Sequence, residues 1–254
     1  MRKILITLLV LLLAGSASAW GVTGHRAIGL IAERLLNPKA KKKLEAVLSR
    51  ESLAMASNWM DEIRSDSTWN HTADWHWVTI ETGKRYEDSP KNPKGDVIAT
   101  LERLMEEIRT RKVSGAREAE HVKMIIHLIG DIHQPLHVGC CDDQGGNRVK
   151  LKWFREDSNL HRLWDSDLID HTRLSYTELA DALLLPDATA VRELQAATVR
   201  QWASESMAFR ERVYAIGDGK LGYAYAYRNN DLVEKRLLEA GIRLAGVLNA
   251  LYGK

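Results

Sequence analysis

The sequence predicts a mainly α protein, a single compact domain of many helices with at most a short β-hairpin. Three observations carry this. Apolar residues recur at helical spacing through most of the chain, only one short stretch alternates like a strand, and no linker or internal repeat divides it. The elements follow in order. Arg2 and Lys3, the apolar run Ile4 to Ala14 and the small-residue site Ala17-Ser18-Ala19 read as a secretory signal peptide over residues 1–19, cleaved before Trp20. Ala27, Ile28, Ile31, Leu35 and Leu36 predict a first helix ended near Asn37-Pro38. Val97, Leu101, Leu104, Met105 and Ile108 form a second stripe; Val122, Ile125, Ile126, Ile129 and Ile132 form a third, which Pro135 should stop or kink. Further helices are expected over 176–185, 187–213 and 231–252, and a strand over 149–154 ("VKLKWF"). Polar segments at 81–96 and 139–147 read as surface loops.

Composition excludes several functions. Discarding residues 1–19 of 254 leaves 235, enough for one domain with a sizeable core. The whole chain has 36 basic and 34 acidic side chains; losing Arg2 and Lys3 makes the mature chain neutral. A broad cationic surface for duplex nucleic acid is therefore not expected, and a polyanionic substrate would have to be drawn by local charge, with bound metal the obvious source. No apolar run approaches the ~20 residues of a membrane span. Cys140 and Cys141 are the only cysteines and are adjacent, so no disulfide framework is expected and two small thiols are the favoured reading. Asn70-His71-Thr72 is a glycosylation sequon, meaningful only in a eukaryotic secretory pathway; the short leader favours a bacterial periplasm, or secretion.

The chemistry concentrates around the histidines. "HLIGDIHQPLH" sets His127 and Asp131 at i,i+4, one helical face, with His137 just past the proline. "NLHRLWD" repeats the spacing with His161 and Asp165, "NWMDEIR" offers Asp61 and Arg64, and "DWHWV" places His76 between Trp75 and Trp77. Imidazole and carboxylate one turn apart make a workable zinc pair. Singly, each motif is also what a salt bridge, a cap or a buried histidine looks like. Their coincidence in one small domain points to metal, because gathering so many ionisable groups is costly without a counter-charge.

Together "WGVTGH", "NWMDEIR", "DWHWV", "HLIGDIHQPLHVG", "GGN" and "NLHRLWD", in this order from Trp20 to Asp165, resemble the zinc-dependent single-strand nucleases of fungi, plants and bacteria, the nuclease S-one/P-one or type I nuclease family. The resemblance implies a fold related to zinc-dependent phospholipase C and three Zn2+ per chain. One would take Asp61, His76, His127 and Asp131. A second would take the α-amine and carbonyl of Trp20 with His25, sharing Asp131 as a bridge. The third would take His137, His161 and Asp165. It implies single-stranded DNA and RNA as substrates, cut to 5′-phosphates by a bridging hydroxide, with a possible 3′-nucleotidase activity. Arg64 and Asn147 would hold phosphoryl oxygens and Trp77 would stack on a base. Thr79 stands where some members carry a base-reading carboxylate. A monomer without a stable protein partner is expected. Two rivals stay open: a zinc-dependent phospholipase C, and a non-catalytic periplasmic zinc-binding protein. The spacing from Trp20 to His25, and Asp165 where lipases have Glu, favour the nucleases.

Overall fold

The computed structural model describes residues 20–254; the expected signal peptide lies outside the described residues. The first helix, α1 (Val22–Arg34), buries Ala27, Ile28, Ile31 and Ala32 on one face, as its periodicity requires. Asn37 then caps α2 (Pro38–Val47), its side chain accepting the Ala40 N–H at 2.8 Å with Pro38 at the first helical position. Short helices α3 (Leu53–Ala56) and α4 (Trp59–Glu62) lead into 3₁₀ turns that run to His76. Asp96 caps α5 (Val97–Arg109).

Helix α6 (Ala116–His133) is the axis of the domain. From His121 to His133 every residue but Lys123 is buried. It packs against α5, α4 and two later helices, α11 (Val199–Ala208) and the long α13 (Tyr223–Tyr252). Gln134 leaves the helix with extended backbone, φ −80° and ψ 118°, the conformation forced on a residue before proline. A 3₁₀ turn, Pro135–His137, follows.

The strands are few. β1 (Val78–Thr79) and β2 (Val138–Gly139) form a two-residue parallel pair. β3 (Lys150–Trp153), within the expected strand, makes a hairpin with β4 (Glu156–Asn159), and β5 (Lys220–Leu221) adds a parallel strand. The sheet thus exceeds the expected hairpin by one short strand, which two residues of sequence could not announce.

Helices α7 (Leu160–Arg162) and α8 (Leu168–His171) are joined through a π-helical turn at Leu163–Asp167. Then come α9 (Tyr176–Ala182), α10 (Ala188–Ala196), α11 (Val199–Ala208), α12 (Arg210–Val213) and α13 (Tyr223–Tyr252). The single helix expected over 187–213 is therefore three. The break has a local cause: Thr198 and Gln201 form a reciprocal capping box that starts α11 afresh. The 30 residues of α13 extend about 45 Å and pack along α1, α2, α6 and α10. Its buried Arg236 donates to the His133 carbonyl at 3.0 Å, and Arg243 reaches Glu205 at 2.6 Å. The end of α6 is thereby fixed. No helix among the described residues is long and apolar enough to cross a membrane.

Candidate metal centre

Two turns of α6 supply the centre of the site. His127 Nε2 lies 3.3 Å from Asp131 Oδ2, as the i,i+4 spacing predicts. Asp131 is fully buried, and its two oxygens face different ways. Oδ2 is 2.9 Å from His76 Nδ1 and Oδ1 is 3.3 Å from His25 Nε2. His25, from α1, stacks on His127 with ring centroids 4.0 Å apart and planes within 12°. Asp61 Oδ1 closes the group 3.9 Å from His127 Nε2. Beyond lies a second set: His161 Nε2 is 3.1 Å and His137 Nε2 3.7 Å from the Asp165 oxygens. Three groups among the described residues could each hold a metal ion: His25, His127 and Asp131; Asp61, His76 and His127; His137, His161 and Asp165.

The backbone decides which nitrogens face inward. His127, His137 and His161 each place Nδ1 2.7 Å from a carbonyl, of Ser57, His76 and Gly145 respectively. A carbonyl only accepts, so Nδ1 carries the proton and Nε2 presents its lone pair to the cluster, the arrangement that fixes metal-bound imidazoles. Both His25 nitrogens, Nε2 of His76, His137 and His161, and Asp131 Oδ1 are buried without a hydrogen-bond partner. Leaving so many polar atoms unsatisfied would cost several kcal/mol (on the order of 1–3 each). Imidazole nitrogens and carboxylate oxygens are a donor set suited to a divalent ion such as zinc, so the residues fit such a group.

Without metal, protons bind the same groups. Burial disfavours charge on His127, but the Asp131 and Asp61 carboxylates outweigh it and raise its pKa to about 9. His137 is likewise opposed by burial and raised to about 9, by Asp131 and Asp165. Burial would raise the Asp131 carboxyl, yet His127 and its neighbours hold it well below the ordinary range. Desolvation dominates at His25 and His76 and lowers both.

Three devices hold these candidate metal-binding side chains in place, and the sequence pattern did not single them out. Buried Gln134 donates from Nε2 to Asp165 Oδ1 at 2.6 Å and accepts the Leu136 N–H on its other end. Its amide orients one ligand while staying satisfied itself; its place between His133 and Pro135 in "HQPLH" was the available signal. Arg210 forks onto the Ile80 carbonyl at 2.9 Å, the Gly139 carbonyl at 2.7 Å, and the Val138 carbonyl. It clasps β1 to β2, the strands that follow His76 and His137. Finally, the π turn widens the helix at Asp165, whose carbonyl accepts the Gly21 N–H from outside at 2.6 Å. A Cβ on Gly21 would lie 2.5 Å from Ser166 Oγ and 3.1 Å from the Asp165 carbonyl oxygen, so a side chain here would have to displace the Ser166 hydroxyl. Trp20, the residue before it, is fully buried.

The remaining expected residues sit at the edge. Arg64 donates to Asp61 Oδ1 at 3.2 Å. Trp77 is 38% exposed beside His76, and Thr79 is exposed on β1. Asn147 donates from Nδ2 to the Gln144 carbonyl at 3.0 Å, so its amide shapes the turn. Gly145 serves His161 through its carbonyl. Cys140 and Cys141 form a disulfide with Cα atoms 3.8 Å apart, where two free thiols were expected.

A model of the family described as S1/P1 nuclease matches residues 20–253. The chain belongs to the S1/P1 nuclease family. It is similar over nearly its full length to two proteins of Arabidopsis thaliana. Endonuclease 3 is 31% identical over 99% of this chain and 96% of its own length. Endonuclease 4 is 30% identical over 94% and 91%. Nuclease P1 of Penicillium citrinum is 25% identical, covering 92% of this chain and 98% of its own. This S1/P1 nuclease is accordingly an enzyme of the endonuclease class, built on the mainly α fold described above.

Proposed function

We propose that the mature protein, cut free before Trp20 and exported, is a zinc-dependent phosphodiesterase that hydrolyses single-stranded DNA and RNA to 5′-phosphates, with a 3′-nucleotidase activity that releases inorganic phosphate from 3′-nucleotides. The observation that carries this reading is Asp131, whose opposed oxygens face His25 on one side and His76 and His127 on the other. A carboxylate so divided suits two cations at once. Three zinc ions fit the donors: Asp61, His76, His127 and Asp131; Trp20 through its α-amine and carbonyl, with His25 and Asp131; and His137, His161 and Asp165. Bound zinc supplies Lewis-acid polarisation of phosphoryl oxygens and makes hydroxide available near neutral pH.

The chain's own residues do the rest. The three carbonyl-bound imidazoles keep Nε2 fixed toward the cluster, so the donor set needs little reorganisation as charge develops. Arg64, beside Asp61, offers its guanidinium to phosphoryl oxygens. The exposed Trp77 ring takes a splayed base, a contact worth about 1–3 kcal/mol and tolerant of any base. A base held this way is readily available in a single strand and must be unstacked from a duplex. The Gly21 tie to Asp165 supports a role for the new chain start, since it brings the residue after Trp20 against a ligand-bearing segment.

The test compares protein beginning at Trp20 with protein carrying one extra residue before it. An α-amine has a pKa near 8 and coordinates at little cost; the amide of an extended chain does not. The extended form should bind about one zinc fewer and lose most turnover of single-stranded DNA and RNA, with phosphatidylcholine inert throughout. Equal zinc content and equal rates would overturn the terminal-chelate reading. Hydrolysis of phosphatidylcholine alone would overturn the nuclease reading.

A further inference from the structure

A cavity of about 250 Å³, lined by none of the candidate metal-binding side chains, lies between α5, α6 and the 3₁₀ stretch that ends at His76. Its walls are aromatic. Trp69 and His71 face each other at 5.9 Å with planes 24° apart, and His71 meets Trp75 edge-on at 5.3 Å. The Arg103 guanidinium lies over the Trp75 ring, 5.0 Å from its centroid, and exposed Arg117 adds a second cation at the rim. His121, 5% exposed, also lines the cavity. Its Nε2 is 2.8 Å from Glu107 Oε2, and Nδ1 has no hydrogen-bond partner. Because a carboxylate accepts, Nε2 carries a proton. Nδ1 is left as a buried polar atom without a partner, which a hydrogen-bonding group on a ligand would satisfy. The size is below the roughly 300–1,000 Å³ of drug-sized ligand sites, so one small planar group fills it.

We propose that this cavity is an accessory base site for the substrate strand. It takes a nucleobase by stacking among Trp69, His71 and Trp75, with a hydrogen-bonding group of the base meeting His121 Nδ1. Arg103 and Arg117 face the attached phosphate. Glu107 and Glu120 line or flank the same space, so the cationic pull is local and modest. Position supports continuity with the metal centre. His121 and His127 stand on one helix six residues apart, about 9 Å along its axis and about 120° around it, so the cavity and the metal centre share α6. The 3₁₀ stretch bearing Trp69, His71 and Trp75 is the one that delivers His76.

This inference rests on the single-strand nuclease reading, and the experiment separates the two. Steady-state rates of the zinc-loaded wild type are compared with Trp69→Leu, His121→Leu and the surface change Arg117→Ala, on a dinucleotide and on a hexanucleotide. The dinucleotide fills only the two sides of the cut. Its KM and kcat should be unchanged in all three variants. The hexanucleotide KM should rise about tenfold in Trp69→Leu, and by a smaller factor in the other two. Equal effects on both substrates, or an unchanged hexanucleotide KM in all variants, would overturn the accessory site alone. A wild type inert on both substrates would overturn the parent reading and this one together. Arg117→Ala lies on the surface and keeps the test decisive should a core variant not fold.

Discussion

Replacing Gly130 by alanine should separate stability from metal binding. Gly130 sits inside α6, directly before Asp131, where glycine is a poor helix former. Alanine would contribute about 1 kcal/mol through helix propensity alone. The structure opposes that gain. A Cβ at this position would lie 2.8 Å from both Cε1 and Nδ1 of His25. The His25 ring is fully buried and stacked on His127, so it has little room to retreat. Restoring ordinary contact moves it roughly half an ångström, the scale on which ligand geometry begins to fail. Overpacking of this kind costs about 1–3 kcal/mol. The two effects leave a net loss of roughly 0–2 kcal/mol, small enough for the variant to fold. The corner holding His25 should nevertheless lose its ion, and turnover should fall by on the order of tenfold to a hundredfold. Thermal unfolding with and without chelator, zinc content after gel filtration, and cleavage of a single-stranded oligonucleotide measure all three. A variant with raised melting temperature, full zinc content and normal turnover would refute the reasoning.

Gln134→Leu leaves the Leu136 N–H and Asp165 Oδ1 without their partner; it should cost about 1–3 kcal/mol and weaken zinc at the His137, His161 and Asp165 group, as read by metal analysis. Arg210→Ala releases the carbonyls of Ile80, Val138 and Gly139 and should cost about 2–3 kcal/mol in urea unfolding, while Arg210→Lys, lacking the fork, should recover only part. Zinc affinity should rise with pH. His127 and His137 titrate at about 9 in the metal-free protein, so both are protonated at neutrality and must release a proton to bind. Affinity should therefore climb from pH 6 and level off above about 9, and calorimetry in buffers of different ionisation enthalpy should detect the released protons. A pH-independent affinity would contradict this.

Much of the site was legible because its chemistry is local. His127 with Asp131, and His161 with Asp165, are one helical turn apart in any register, and each pair meets in the structure at 3.3 and 3.1 Å. The stripes of α5 and α6 fixed those helices for the same reason. What stayed hidden depends on distance in sequence. Arg210 acts on carbonyls some 70 and 130 positions away, and no pattern near residue 210 points to them. Gln134 reaches across 31 positions. The division at Thr198 was written locally, as Thr-x-x-Gln, but apolar period outweighed capping in the reading of 187–213. Adjacency argued against bonding of Cys140 with Cys141, and the two are bonded nonetheless.

The irregular winding at Leu163–Asp167 has a mechanical consequence. The hydrogen bond from Gly21 ends on a carbonyl inside that irregular stretch, so rewinding the helix there would move its acceptor. Shortening that stretch by a single residue should thus unmoor the segment around Trp20 and rotate the Asp165 carboxylate in the same stroke. Two corners of the enzyme contributed by segments nearly 150 positions apart share one hinge-pin, and neither can be retuned alone.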